Sequence, residues 1–119
     1  MIKLKRIYEE AEASDGRRYL VERLWPRGVT KEEARLDDWL KDLAPSPELR
    51  RWYGHDLPRW DKFRLRYEGE LALPEKAEAL SKLSREAREG PVTLVFATRD
   101  SSHSSARVLK EYVEKSHVG

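Results

Sequence analysis

The chain is 119 residues long, the size of one ordinary domain, and its 24 Lys and Arg against 22 Asp and Glu leave a formal charge of only +2. That balance argues against a nucleic-acid binder working through a concentrated basic face, and two Phe, four Trp and five Tyr supply enough apolar area to argue against disorder. With no cysteine, a disulfide framework, a thiol nucleophile and a sulfur-ligated zinc site are excluded.

Ile2, Leu4, Ile7 and Tyr8, set among basic residues, predict a half-exposed strand over 2–8. Ser14-Asp15-Gly16 is a turn signal, and Tyr19 to Trp25 reads as a second, more buried strand. About ten residues join the two, which leaves their relative direction open. Thr30-Lys31-Glu32-Glu33 is a capping box, and Leu36, Trp39, Leu40 and Leu43 follow at helical spacing, so a helix is expected to run through them. Ser46-Pro47 opens a short helix that Gly54 ends. Trp60, Phe63, Tyr67 and Leu71 form the stripe of the next helix. Another helix starts at Pro74, with Ala77, Leu80, Leu83 and Ala87 on one face, and stops at Gly90. The run from Val92 to Ala97 is apolar without alternation, the pattern of a strand covered on both faces, and is expected to be the central strand. A serine-rich turn, Ser101 to Ser105, leads into a last helix carrying Ala106, Leu109, Tyr112 and Val113. The long helical crossover makes the second and third strands parallel. The expected architecture is a single α/β domain over 1–119, with a small, mainly parallel sheet of three strands or slightly more, flanked by helices.

In such a sheet ligands bind beyond the carboxyl ends of the strands. Arg23-Leu24-Trp25-Pro26-Arg27-Gly28 follows the second strand and Arg99-Asp100 follows the third. Arg23, Arg27 and Arg99, next to the first turn of the last helix, predict a pocket for a phosphate-like or carboxylate-like small molecule. Ser101, Ser102, Ser104 and Ser105 would add hydroxyl donors, and Trp25 would stack on a ring. The competing expectation is structural: Ser102 caps the helix, and the arginines pair with Asp100, Glu22 or Glu70. If the site is catalytic, hydrolysis or transfer of an anionic group is the class to test, with His55 or Asp100 moving protons.

Ser101 and Arg107 stand six apart, the separation of cysteine and arginine in the phosphate loop of cysteine-dependent phosphatases. A serine hydroxyl needs a base, however, and His103 supplies one only if the turn folds back on itself. His55 has a second reading as a cap at a helix end. The three histidines, His55, His103 and His117, lack metal-ligand spacing, which leaves only an all-oxygen Mg²⁺-type site open; no metal and no cofactor are expected. A basic strip, Lys3, Lys5, Arg6, Arg17 and Arg18, offers a nucleic-acid contact as an alternative, or else a guarded sheet edge; a structural or partner-binding role is the third possibility.

The blocks Lys5-Arg6-Ile7-Tyr8, Asp15-Gly16-Arg17-Arg18-Tyr19-Leu20-Val21-Glu22-Arg23-Leu24-Trp25-Pro26-Arg27-Gly28 and Trp39-Leu40-Lys41-Asp42-Leu43-Ala44-Pro45-Ser46 resemble the YeaO-like branch of the family called domain of unknown function 488. Glu48-Leu49-Arg50, Gly54-His55, Phe63, Tyr67, Glu70-Leu71 and Val92-Thr93-Leu94-Val95 extend that resemblance over nearly the whole chain. It implies a small α/β protein and little about function. Family members outside this branch carry Cys-His-Arg after the last strand; this chain reads Ser102-His103-Ser104, which puts thiol chemistry out of reach.

No apolar run approaches the ~20 residues that cross a bilayer, and Met1 to Arg6 lacks the apolar stretch of a secretory signal, so a soluble, cytoplasmic protein is expected. The absence of Asn and Gln and the single Met resemble thermophile composition.

Overall fold

The computed structural model describes residues 1–116. Four strands, β1 (Ile2–Arg6), β2 (Arg17–Leu20), β3 (Asp38–Trp39) and β4 (Val92–Phe96), form one sheet in the order β1-β4-β2-β3. All neighbouring pairs are parallel. The helices are α1 (Lys31–Ala34), α2 (Pro47–Tyr53), α3 (Trp60–Leu71), α4 (Ala77–Glu89) and α5 (Ser105–Ser116).

The apolar strand β4 is central and every one of its residues is buried, as its lack of alternation requires. One face of the sheet, Ile2, Tyr19, Val21, Val92, Leu94 and Phe96, packs against Leu49 and Tyr53 of α2, Phe63, Tyr67 and Leu71 of α3, Leu80 and Leu83 of α4, and Leu109 and Val113 of α5. Ala77 is exposed and takes no part in that core.

The other face carries a smaller cluster, Ile7, Leu20, Ala34 and Val95, with Trp25, Val29, Leu36 and Trp39 packed on it. The link from β1 to β2 crosses this face. Its Asp15 carbonyl accepts the Thr93 hydroxyl of β4 at 2.7 Å, which satisfies a polar side chain in the middle of the core. The Asp15 carboxylate lies 2.7 Å from Nη1 of Arg18 and 3.0 Å from Nζ of Lys5, and also accepts the Glu12 amide. Because β4 separates β1 from β2, the short link joins two parallel strands by stepping over the central one.

The helix expected through Leu36, Trp39, Leu40 and Leu43 does not form. The Thr30–Glu33 capping box is present, but Arg35 adopts a left-handed conformation at φ 48° and ends α1 after Ala34. The Asp37 amide then donates to the Arg18 carbonyl, and Asp38–Trp39 add an edge strand to β2. The four apolar residues imitate a helical stripe while dividing between two cores: Leu36 and Trp39 lie on the second face, Leu40 and Leu43 on the first. The second strand is also shorter than Tyr19–Trp25: its last backbone bond to β4 is from the Val21 amide, and the indole of Trp25 donates to the Val29 carbonyl, curling the chain into a turn. No helix is long and apolar enough to cross a membrane among the described residues.

Candidate functional site

The carboxyl ends of β2 and β4 open into a cavity of about 300 Å³. Glu22 and Arg23 enter it from the end of β2, Ala97 and Thr98 from the end of β4, Arg50 and Tyr53 from α2, His55 just beyond α2, Phe63 from α3, and His103 and Ser105 from the turn and helix after β4. It is the adjacency of two parallel strands that brings these segments together.

Glu22 sits where the sheet ends. One carboxylate oxygen accepts the Ala97 amide at 2.9 Å, tying β2 to the residue after β4. The other has no hydrogen-bond partner among the described residues. Burial pushes the Glu22 carboxyl above its ordinary range, against the Ala97 amide and the charges of Arg50 and His55, which pull the other way.

Arg23 lines the cavity with its donors largely committed. Nη2 donates to the Ala44 carbonyl at 2.9 Å, Nε to the Pro45 carbonyl at 3.4 Å, and Nη1 lies 3.6 Å from exposed Asp42. Its guanidinium fastens the end of β2 to the turn before α2. Arg50 is exposed and makes no ion pair among the described residues.

Gly54 and His55 both take positive φ, 52° and 59°. Gly54 ends α2 with its amide on the Arg50 carbonyl. His55 is not glycine, so its left-handed backbone is strained, and the strain turns the chain back along the cavity wall. His103 is fixed by two neighbours: Nδ1 is 2.8 Å from Oδ2 of Asp100, and the ring meets Trp60 edge-on at 5.1 Å. The hydrogen bond from His103 holds the Asp100 carboxyl below its usual range.

The sequence-predicted site residues divide. Arg23, His55, His103 and Ser105 line the cavity, and Asp100 reaches it through His103. Trp25 packs on the opposite face against Trp39, centroids 5.5 Å apart, and so has no ring position in the cavity. Arg27 and Arg99 are exposed and outside the lining, as are Ser101 and Ser102. Ser104 is buried; its hydroxyl donates to the Ser101 carbonyl and accepts the Arg107 amide, so Ser104, not Ser102, caps α5. His117 lies outside the described residues. Glu70, expected as an arginine partner, instead accepts the amide and hydroxyl of Ser46 at the start of α2.

Glu22, Arg50 and Tyr53 belong to the lining and were not singled out as site residues. Glu22 carried a usable signal, since it adjoins Arg23 at a strand's carboxyl end. Arg50 and Tyr53 stand three apart on α2 and face the cavity together, which no local pattern announces.

The basic strip is engaged internally. Lys3 donates to the Ser14 carbonyl, Lys5 pairs with Glu12 and Asp15, and Arg6 donates to the Ala97 and Thr98 carbonyls. Arg17 pairs with Glu86, and Arg18, buried, pairs with Asp15 and donates to the Ala34 carbonyl. Among the described residues no group of three or more His, Asp or Glu is arranged to hold a metal ion.

Relatives cover the chain almost completely. An uncharacterized protein of Mycobacterium tuberculosis, Rv3073c, is 42% identical over 110 residues, 92% of this chain and 91% of that protein. The uncharacterized protein YeaO of Escherichia coli is 38% identical over 112 residues, 94% of this chain and 96% of that one. No solved structure matches the chain. The family model described as the inactive DUF488-N3 subclade matches residues 1–118, and the chain belongs to that family.

Proposed function

We propose that this protein binds a small anionic molecule, phosphate- or carboxylate-bearing, in the cavity at the ends of β2 and β4, and that it does so without covalent catalysis. The observation that carries this reading is the convergence there of polar groups left without internal partners. The hydroxyls of Tyr53 and Ser105 and the guanidinium of Arg50, all hydrogen-bond donors, line the cavity with no hydrogen-bond partner among the described residues. Donors held open in a concavity are available to a ligand or to water. The charges favour an anion: two guanidiniums, Arg50 and Arg23, stand in the lining against the single carboxylate Glu22. Strain at His55 also falls at this cavity.

Catalysis has weaker support. There is no cysteine, the family's description is inactive, and the one carboxylate–imidazole pair, Asp100–His103, has no hydroxyl nucleophile hydrogen-bonded to it among the described residues.

A thermal-shift panel of inorganic phosphate, nucleotides and small mono- and dicarboxylic acids tests the proposal. A ligand at 100 times its dissociation constant adds about 2.7 kcal/mol of stability. The shift is expected to be lost in Arg50→Ala, whose own unfolding midpoint stays close to that of the parent because Arg50 is exposed and unpaired among the described residues. Absence of a shift with every anion refutes the reading.

A further inference from the structure

The anion reading leaves one feature of the cavity without a purpose: a carboxylate stands among the cations. Glu22 lines the cavity, is oriented by its bond from the Ala97 amide, and has a second oxygen with no hydrogen-bond partner among the described residues. Arg50 and His55 act on it through space, yet neither closes an ion pair with it. A simple anion drawn to Arg50 would meet the like charge of Glu22. A ligand carrying a cationic donor beside its anionic group meets both.

We propose that the cavity takes a small zwitterion of the amino-acid class, with the ammonium group on the free oxygen of Glu22 and the carboxylate or phosphonate on Arg50 and His55. The proposal rests on the anion-binding reading and adds the second half of the ligand. The aromatic walls suit it. Tyr53 and Phe63, with ring centroids 4.6 Å apart, line the same cavity as Glu22, and an ammonium gains from aromatic faces as well as from a carboxylate. The geometry of Glu22 also fits the demand for preorganisation, since its orientation is set by backbone before any ligand arrives. The direction in which its carboxyl is shifted agrees: burial outweighs the Ala97 amide, Arg50 and His55, and a ligand cation adds to what favours the charged form.

The test uses matched pairs on the full chain at pH 7.5, by calorimetry: alanine against propionate, aspartate against succinate, and 2-aminoethylphosphonate against ethylphosphonate, with ethylamine as the cation alone. The amino member of at least one pair is expected to bind tenfold or more tightly than its partner, and ethylamine far more weakly. In Glu22→Gln the preference collapses to within twofold, while the des-amino partner binds as well as before or better. The amide oxygen of Gln can still accept the Ala97 amide, and an unchanged unfolding midpoint or a raised one confirms that the variant folds. Should the variant fail to fold, the pair ratios on the parent protein decide alone. Equal binding within every pair overturns the zwitterion and leaves the anion reading standing. Ethylamine binding as tightly as the amino acids overturns the assignment to Arg50 and His55. No binding by any probe overturns the zwitterion, and if inorganic phosphate and nucleotides also fail to bind, the anion reading falls with it.

Discussion

Replacing Asp15 with Ala removes the hub of the second face. The Asp15 side chain is 4% exposed and that of Arg18 5%, with 2.7 Å between carboxylate and guanidinium. Without Asp15, Arg18 keeps the Ala34 carbonyl for Nε and Nη2 at 3.1 and 2.8 Å, but Nη1 is left buried without an acceptor. Lys5 retains Glu12 and the Glu10 carbonyl near the surface, so the damage centres on Arg18. Breaking a buried pair from one side costs about 3–5 kcal/mol. That is a large share of the roughly 5–15 kcal/mol holding a domain folded, and a fall in melting temperature on the order of 10–20 °C. Urea unfolding at neutral pH measures it. Adding Arg18→Met to Asp15→Ala should return part of the loss, because the stranded charge goes with it. A loss below about 1 kcal/mol, the scale of a surface ion pair, or a double variant worse by the sum of both changes, refutes this account of the second face. Acid has a defined sign here. Burial raises the Asp15 carboxyl, but the Glu12 amide, Lys5 and Arg18 outweigh it and hold the group below its ordinary range. Its contribution is therefore complete above the ordinary carboxylate range near pH 4 and is lost as the pH falls through the lower folded-state value; Asp15→Asn should flatten that acid limb.

Three further outcomes are expected. At Gly16 a Cβ would lie 2.1 Å from the Pro91 carbonyl oxygen at φ +65°, so Gly16→Ala should cost more than about 3 kcal/mol in denaturant unfolding. Gly28→Ala, at φ +77° but with open space around it, should cost only about 1–2 kcal/mol, and equal losses at the two sites would contradict the close approach at Gly16. Tyr67→Phe strands the Leu43 carbonyl, which now accepts the Tyr67 hydroxyl at 2.6 Å in a buried setting, and should destabilise by about 1–3 kcal/mol without altering ligand affinity. Glu22→Gln should stabilise the unliganded protein at pH 7: a carboxyl whose folded-state value is raised is most favourable below its unfolded pKa and costs stability as pH rises through the folded one. The gain should fade below about pH 4 in melting curves, and a destabilised variant at pH 7 would contradict it.

Periodicity revealed the elements whose two faces have simple environments. β4 is buried throughout, and α3 carries its stripe of Phe63, Tyr67 and Leu71 on a single core, so local pattern and tertiary setting agree. The segment 31–43 misleads because its apolar residues serve opposite faces of the sheet, and an edge pairing with β2 overrides its helical spacing. The strand-end rule leads to the cavity that Arg23, His103 and Ser105 share, while His55 joins it from beyond α2. Which guanidinium stays available was not. Arg23 is occupied by carbonyls some twenty residues away in sequence, and Arg50 enters the cavity from α2 instead. Trp25 lies with Trp39 on the opposite face, because the turn held by its indole bond to Val29 breaks the alternation of β2.

Amide chemical-shift mapping gives the most direct test of the ligand site. Uniformly ¹⁵N-labelled protein titrated with inorganic phosphate, and separately with aspartate, should show saturable shifts at Glu22, Arg50, His55, Ala97, His103 and Ser105, with Asp15, Arg18 and Leu36 on the opposite face unmoved. Spectra that do not change with either probe, or shifts confined to Trp25–Gly28 or to Lys3–Arg6, would contradict a ligand site at the ends of β2 and β4.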